Sequence, residues 1–524
     1  MVQRKISQWT GKEQNQLIWF IKHMKRTLAM ILAALTLSTT LIACSDDAGT
    51  TTDTTAAPSI TDTSSTADTT VPTETADPTV DANGYLLDSL PADLNFGGAE
   101  IGILHWNSEE KEFEIEEITG DILNDAIFTR NEQVQKRLNV KFSFTEQKGD
   151  NGGRAQFLSF VQKSYQAGEK AYDIIPTYSR TSGMLAINGL CYNLAELPYL
   201  DFEKPWWPQR MLETQTSGDQ LYFISGDAST NLIHMTTGMY YNKDILEQHQ
   251  LPAPQQLVLE HKWTHDKLIE LTTGIYQDLN GNNKVDSEDK FGFSSVYYHV
   301  DAFYTGSGLR PVESNADDLL IISPDFSSEK CINMCDKLGA WSASDDTLIA
   351  GAADTYEAAF YNGNTLICQN RLYMASRFLR DVDFSYGVLP TPLYDEAQKE
   401  YISVVGNPYT NYCIMADCEE PETAAAVIEA WGSAAYRLTT PALFENNMKI
   451  KYSEDDINAQ MFDIIREGID FDLGRVFSND LEYMSEQPST AIVRNQSWAT
   501  ALKPYARILE VKIKNIVKSL SDLD

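Results

Sequence analysis

The chain is short of positive charge. Among 524 residues, 41 Lys and Arg stand against 75 Asp and Glu, for a formal net charge of −34. That balance argues against nucleic acid and anionic lipid head groups as partners, because both would be repelled rather than neutralised, and it fits an outward-facing protein with a neutral or cationic ligand. Cysteine is sparse as well, with seven in all. Apart from Cys44, they are Cys191, Cys331, Cys335, Cys368, Cys413 and Cys418, spread through apolar strand and helix patterns. This favours buried free thiols over a disulfide framework. No His stands at ligand spacing to the close Cys pairs, so zinc is not expected. Catalytic signatures are missing too: there is no HExxH, no GxSxG and no glycine-rich phosphate loop. The SxxK strings at 287–290 and 327–330 stand without the partner motifs that would give them meaning. Carboxylates are too abundant to single out an acid/base couple.

Long apolar runs are also lacking. The strongest, at 27–40, is short for a membrane span and follows Met24 and the basic Lys25 and Arg26. Leu41, Ile42, Ala43 and Cys44 come next and read as a lipobox, with the Cys44 thiol ready for lipid attachment. A transmembrane helix would leave Cys44 and the polar Ser45, Asp46 and Asp47 without a purpose. Residues 1–23 are expected to be an upstream over-call and 24–44 the lipoprotein signal peptide. Residues 45–85 are Thr-, Ser- and Asp-rich and cannot bury enough surface to offset their chain entropy, so they form a disordered tether.

Beyond the tether the composition is globular. The chain is 43% hydrophobic and 10% aromatic, and its length exceeds what one core holds, so two lobes are expected. Strands at 99–104, 140–144 and 172–178 alternate with helices at 119–138 and 155–167. This order calls for an open, mainly parallel sheet, with ligands bound at the C-terminal strand ends. Trp106 and Tyr178 sit at two such ends. Trp206 and Trp207, flanked by Pro205 and Pro208, suit a packing plug or a cleft wall.

The stretch 240–293 carries three connected signals. Tyr241, Asn242 and Lys243 lead a strand end into a helix. Thr264 is a helix N-cap, with Trp263 and Leu268 placed as a hydrophobic staple. Asp278, Asn280, Asn282, Lys284, Asp286 and Asp289 then match the ligand spacing of a calcium loop, positions 1, 3, 5, 7, 9 and 12. Position 6 is Asn283, which tolerates the left-handed conformation, and position 12 is Asp rather than Glu. A polar turn joining a helix to the strand beginning at Phe291 is the competing reading.

The order of these pieces resembles the extracellular solute-binding proteins of carbohydrate ABC importers, the maltose-binding-protein-like family 1, from about Asn95 onward. The resemblance implies an α/β, two-lobe, periplasmic-binding-protein-like type II fold with a hinge and an interlobe cleft. It implies lobe 1 from 86–225 plus 402–447 and lobe 2 from 226–401 plus 448–524. No catalytic residue or cofactor is required, although a structural calcium ion at the loop is an expectation. Trp106, Tyr178, Asp227, Tyr304, Arg371 and Tyr409 are the expected ligand-binding residues, each with a core or surface role open beside it. Aromatic faces would meet sugar C–H surfaces, while carboxylate and guanidinium groups satisfy hydroxyls. Expected partners are a small polar solute, an oligosaccharide above all, and ABC permease subunits. The protein is expected to be a monomer, held on the outer face of a Gram-positive-type membrane by its lipid alone. A secreted glycoside hydrolase is the alternative, because acidic charge, aromatics and two lobes suit it equally. A dockerin-like partner surface would need a second loop in tandem.

Overall fold

The computed structural model describes residues 79–108, 111–215, 220–443 and 456–523. The signal peptide, Cys44, tether residues 45–78 and the expected lobe boundary at 447/448 lie outside the described residues. The last part of the expected tether is folded: Val80 bridges Leu86, and Tyr85 packs edge-on against Tyr436, their ring centroids 5.6 Å apart. Tyr85 and Leu86 are the first large apolar side chains after a long run without them, which is why order begins there.

Two sheets organise the fold. The first contains β1 (Ala99–Trp106), β2 (Val140–Gln147), β3 (Ile174–Tyr178) and β9 (Thr410–Ile414). The second contains β4 (Thr237–Asn242), β5 (Phe291–Val296), β6 (Thr347–Ala350), β7 (Thr365–Arg371) and β8 (Tyr386–Leu389). In the first, the order is β9-β3-β1-β2, with β1 parallel to both β2 and β3 and β9 antiparallel to β3. In the second, the order is β8-β4-β7-β5-β6, mixed in direction. The β-α-β-α-β reading of 99–178 therefore gives a parallel three-strand unit, as expected from its crossover helices.

Local chemistry sets the helix ends. Ile122–Leu138 begins at Asp121, whose side chain accepts from Leu123 N and Asn124 N, and stops at Asn139, where φ is 50°. The expected start at Thr119 is early because Asp121, not Thr119, caps the first turn. Thr264 caps His265–Thr272, accepting from Lys267 N. Trp263 and Leu268 are both fully buried, and Trp263 Nε1 donates to Pro390 O at 2.9 Å.

The chain passes between the sheets in two neighbouring segments. Between β3 and β4, Ile224 bridges Tyr412 and Thr236 bridges Val405, so the outward run is paired with the returning one. Gly406 N donates to Met235 O at 2.8 Å in the same region. Trp206 and Trp207 plug the first lobe: both are buried, and Trp207 Nε1 donates to Glu429 Oε2 at 3.0 Å. The helix Pro421–Arg437 leaves space for them at Gly432, where a Cβ would come within 2.8 Å of Trp206 Cδ1. After that helix the chain serves both lobes. Asp456–Glu467 packs on β8, whereas Leu473–Val476 packs on the helix Ser179–Ile187 that follows β3. All six described cysteines are free and buried.

Trp263 fills the core and anchors a helix entry at once. Trp263→Ala is expected to destabilise the protein by about 3–5 kcal/mol, read as a lowered denaturant midpoint, with Trp263→Phe costing less.

Candidate ligand-binding site

The site begins at strand ends. Parallel pairing carries β1 to Trp106 and β3 to Tyr178, and their rings meet edge-to-face, centroids 5.3 Å apart at 86°. Thr410 of β9 stands opposite Tyr178 in register and accepts from Trp106 Nε1 at 2.8 Å. The Tyr178 hydroxyl points to Asn151 Oδ1 at 3.5 Å, and burial raises its pKa. Tyr409 is buried beside them; its carbonyl accepts from Ser179 N, and its ring lies 5.8 Å from Phe471.

Behind Thr410 lies a buried carboxyl that the sequence did not single out. Glu112 receives the Thr410 hydroxyl, the Ser229 and Thr230 hydroxyls at 3.3 Å and Asn231 N at 3.1 Å. It thus binds the outgoing crossing segment and the returning one together. Burial raises its pKa, opposed by those hydrogen bonds and by Arg130. Arg130 is itself fully buried, donates to Glu112 O at 2.8 Å and to Ala228 O at 3.3 Å, and lies 4.9 Å over the Trp431 ring.

The second sheet contributes Arg371, the last residue of β7. Its guanidinium lies 5.8 Å over the Tyr298 ring and donates to Met235 Sδ at 3.3 Å. Gly406 makes room for it, since a Cβ there would come within 2.5 Å of Arg371 Nε. Arg371 is also among the charges felt at the Tyr178 hydroxyl. Trp106, Tyr178, Tyr409 and Arg371 are therefore brought into one region around the crossing segments, where the three rings are buried and Arg371 alone is partly exposed.

Asp227 and Tyr304 are placed elsewhere. Asp227 lies 3.9 Å from Arg466 and hydrogen-bonds Thr440, at the junction of Pro421–Arg437 with the end of Asp456–Glu467. Tyr304 belongs to Ala302–Gly306, every residue of which is buried, and its ring packs edge-on against Phe326 at 6.2 Å. Tyr304 is 1% exposed, as buried as Trp106 and Tyr178, and its hydroxyl has no hydrogen-bond partner among the described residues. Arg154, Arg180, Tyr298 and Tyr483, none of them read from the sequence, surround the site instead. The one available signal was scarcity: few basic residues exist, and Arg180 and Arg371 fall at strand ends.

The acidic loop is stitched by its own hydrogen bonds. Asp278 accepts from Gly281 N at 2.6 Å and Asn283 N at 2.8 Å, with Asn283 at φ 56°. Asn280 and Asn282 turn their amide nitrogens to Asp286, at 3.2 Å and 2.6 Å. Lys284 N donates to Asn282 Oδ1 at 2.7 Å. Asp289 is buried and accepts from Leu279 N, Asp286 N and the Tyr276 hydroxyl. Among the described residues no group of three or more His, Cys, Asp or Glu side chains is placed to hold a metal ion.

The fold is that of the two-domain solute-binding proteins of the periplasmic-binding-protein-like class. Among solved structures, a cyclo/maltodextrin-binding protein complexed with maltotetraose superposes with a TM-score of 0.53 at 14% identity, covering 80% of this chain and 98% of that one. The maltose-binding periplasmic protein of Listeria monocytogenes, in complex with maltose, gives 0.51 at 14%, covering 79% and 98%. A family 1 extracellular solute-binding protein from Bifidobacterium longum subsp. infantis gives 0.50 at 15%, covering 80% and 99%. These neighbours are binding proteins by description. No protein-family model and no curated protein matches the sequence. No helix among the described residues is long and apolar enough to cross a membrane.

Three buried carboxyls around the crossings share one electrostatic condition. Burial pushes Asp227 up to about 6, Glu429 to about 7 and Asp472 to about 7, and each has a buried oxygen without a hydrogen-bond partner. Their folded pKa values exceed the unfolded ones, so the folded state binds more protons between about pH 4 and pH 7. Stability therefore falls as pH rises through that window. The melting temperature is expected to be higher at about pH 5 than at about pH 8, each group contributing on the order of 1 kcal/mol. Glu429→Gln should flatten the profile.

Proposed function

We propose that this chain is the substrate-binding lipoprotein of an ABC importer, closing its lobes on an extracellular oligosaccharide and passing it unaltered to permease subunits. The observation that carries the reading is the edge-to-face Trp106–Tyr178 pair at the ends of β1 and β3, with Arg371 from the other sheet in the field of Tyr178. Both rings are buried, Trp106 at 0% and Tyr178 at 2% exposure, so they meet a sugar's C–H surface only once the lobes part. A guanidinium adds several directed donors. The fold supports the reading, since its neighbours include proteins solved with maltotetraose and with maltose. Cys44 would carry the lipid and residues 45–78 would form the tether to the membrane. Closure needs no acid/base couple: excluding water strengthens each polar contact by itself.

Thermal shift against a panel of neutral and charged oligosaccharides tests the reading. A ligand at a hundredfold its Kd should add about 2.7 kcal/mol of stability. Chromatography of the same mixtures should return every oligosaccharide intact. Shortened products would establish the hydrolase instead.

Calcium at Asp278–Asp289 belongs to the same proposal as a structural ion of the second lobe. What supports it is the left-handed Asn283 at position 6 and the convergence of Asn280 and Asn282 on Asp286. Rotating the two amides would present their oxygens beside the Asp278 and Asp286 carboxylates. Added calcium is expected to raise the melting temperature of the native chain and not that of Asp286→Asn. An equal rise in both would remove the ion from this loop.

A further inference from the structure

On a chain of net charge −34, the surroundings of Tyr178 are basic. Its hydroxyl lies in the field of Arg180, Arg154, Arg371 and Arg475, drawn from four separate elements and both lobes. Geometry links them. Arg154 opens the helix Arg154–Ala167, donates through Nε to Asn151 O at 2.9 Å, and reaches the Tyr483 hydroxyl at 3.4 Å. Arg180, one residue into Ser179–Ile187, lies 5.5 Å over the ring of the same Tyr483. Asn151 also faces the Tyr178 hydroxyl. From the other side, Arg371 rests against Gly406, and the next residue, Asn407, accepts from Ser179 Oγ at 2.6 Å.

The acids nearby answer only part of this charge. Arg475 is paired with Asp301 at 2.6 Å, and Arg180 with Glu486. Glu357 is engaged by the Tyr373 hydroxyl at 2.8 Å and Asn370 Nδ2 at 3.0 Å. Asp472 is raised by burial to about 7 and so is largely neutral just below that pH. His299 is kept uncharged by burial and then by Arg371 and Arg475. Among the described residues no carboxylate comes within ion-pair distance of Arg154 or Arg371. Three guanidinium donors, Arg154 Nη1, Arg180 Nε and Arg371 Nε, are buried with no partner. Buried polar groups in native proteins are almost always satisfied, and a cluster of unsatisfied cationic donors calls for an acceptor brought from outside. Ser179–Ile187 adds to the same field. Its N-cap, Tyr178, makes no side-chain cap, although the first helical N–H, that of Ser179, is taken by Tyr409 O. Arg154 and Arg371 are only partly buried, which leaves the cluster reachable.

We propose that the ligand is an anionic oligosaccharide, whose carboxylate or sulfate group is received by Arg154, Arg180 and Arg371 beside the Trp106–Tyr178 pair. This rests on the solute-binding reading and narrows it. The aromatic neighbours suit a sugar ring; Arg154 and Arg371, which have no carboxylate partner among the described residues, and the free Nε of the Glu486-paired Arg180 suit a negative substituent on that ring.

Titration calorimetry on the full chain separates the cases, using oligogalacturonides for carboxylate, sulfated oligosaccharides of matched length, and neutral malto-oligosaccharides. Tightest binding by one acidic series, weakening with added salt, is expected and identifies which anion is taken. Arg371→Gln should lower that affinity on the order of tenfold or more while leaving the melting temperature about unchanged, because Arg371 is partly exposed and pairs with no carboxylate among the described residues. A structural role would instead lower the melting temperature. Tighter binding of the neutral series, or an unchanged affinity in Arg371→Gln, overturns the anionic assignment and leaves the solute-binding reading standing. Binding of none of the three overturns both.

Discussion

The architecture depends on how one buried carboxyl, Glu112, is satisfied. A chain that leaves its first sheet and returns more than two hundred residues later must fix both crossings against one support. Glu112 does this with four oxygen-directed bonds, from Ser229, Thr230 and Asn231 on the way out and from Thr410 on the way back. Burial makes the arrangement nearly all-or-none, since a carboxyl without those donors would be left uncompensated in a low-dielectric interior. Arg130 supports the cluster from the side and lies over the Trp431 ring.

That cluster also orients the site. Because the Thr410 hydroxyl gives its proton to Glu112, its lone pairs are free to accept from Trp106 Nε1. The indole is thereby fixed, and the Tyr178 ring packs against its edge. The Trp106–Tyr178 pair at the ends of β1 and β3 is thus held by the same interaction that anchors the crossing segments.

Much of the fold was legible in the sequence where the signals are local. The β-α-β-α-β order of 99–178, the Thr264 cap, the Trp263–Leu268 staple and the left-handed Asn283 each depend on residues a few positions apart. The site was legible only in part. Trp106, Tyr178 and Arg371 announce themselves by standing at strand ends. Glu112 does not, because its partner Thr410 is 298 positions away and nothing near Glu112 marks it among 75 acids. Tyr304 shows the same limit. A Tyr in a glycine-bearing aromatic segment has the same local pattern whether its helical turn faces a cleft or a core, and only packing against Phe326 distinguishes them. Arg154 and Arg180 were missed because their meeting point, Tyr483, belongs to the last part of the chain.

The contrast between an acidic exterior and a basic interior has a physical consequence. Surface charge is screened over about 8 Å at physiological ionic strength, so an anionic solute approaching the protein meets only a weak repulsion from the net charge. Inside, around Tyr178, the guanidiniums stand in a half-buried setting where screening is much weaker. Long-range steering would then contribute little to capture, and short-range pairing would govern how long the solute is held. On the proposed carrier reading, in which the cargo must be released, holding by a few desolvated ion pairs has a further use. Opening the lobes readmits water, and the pairing that was strong when dry loses most of its strength in one step.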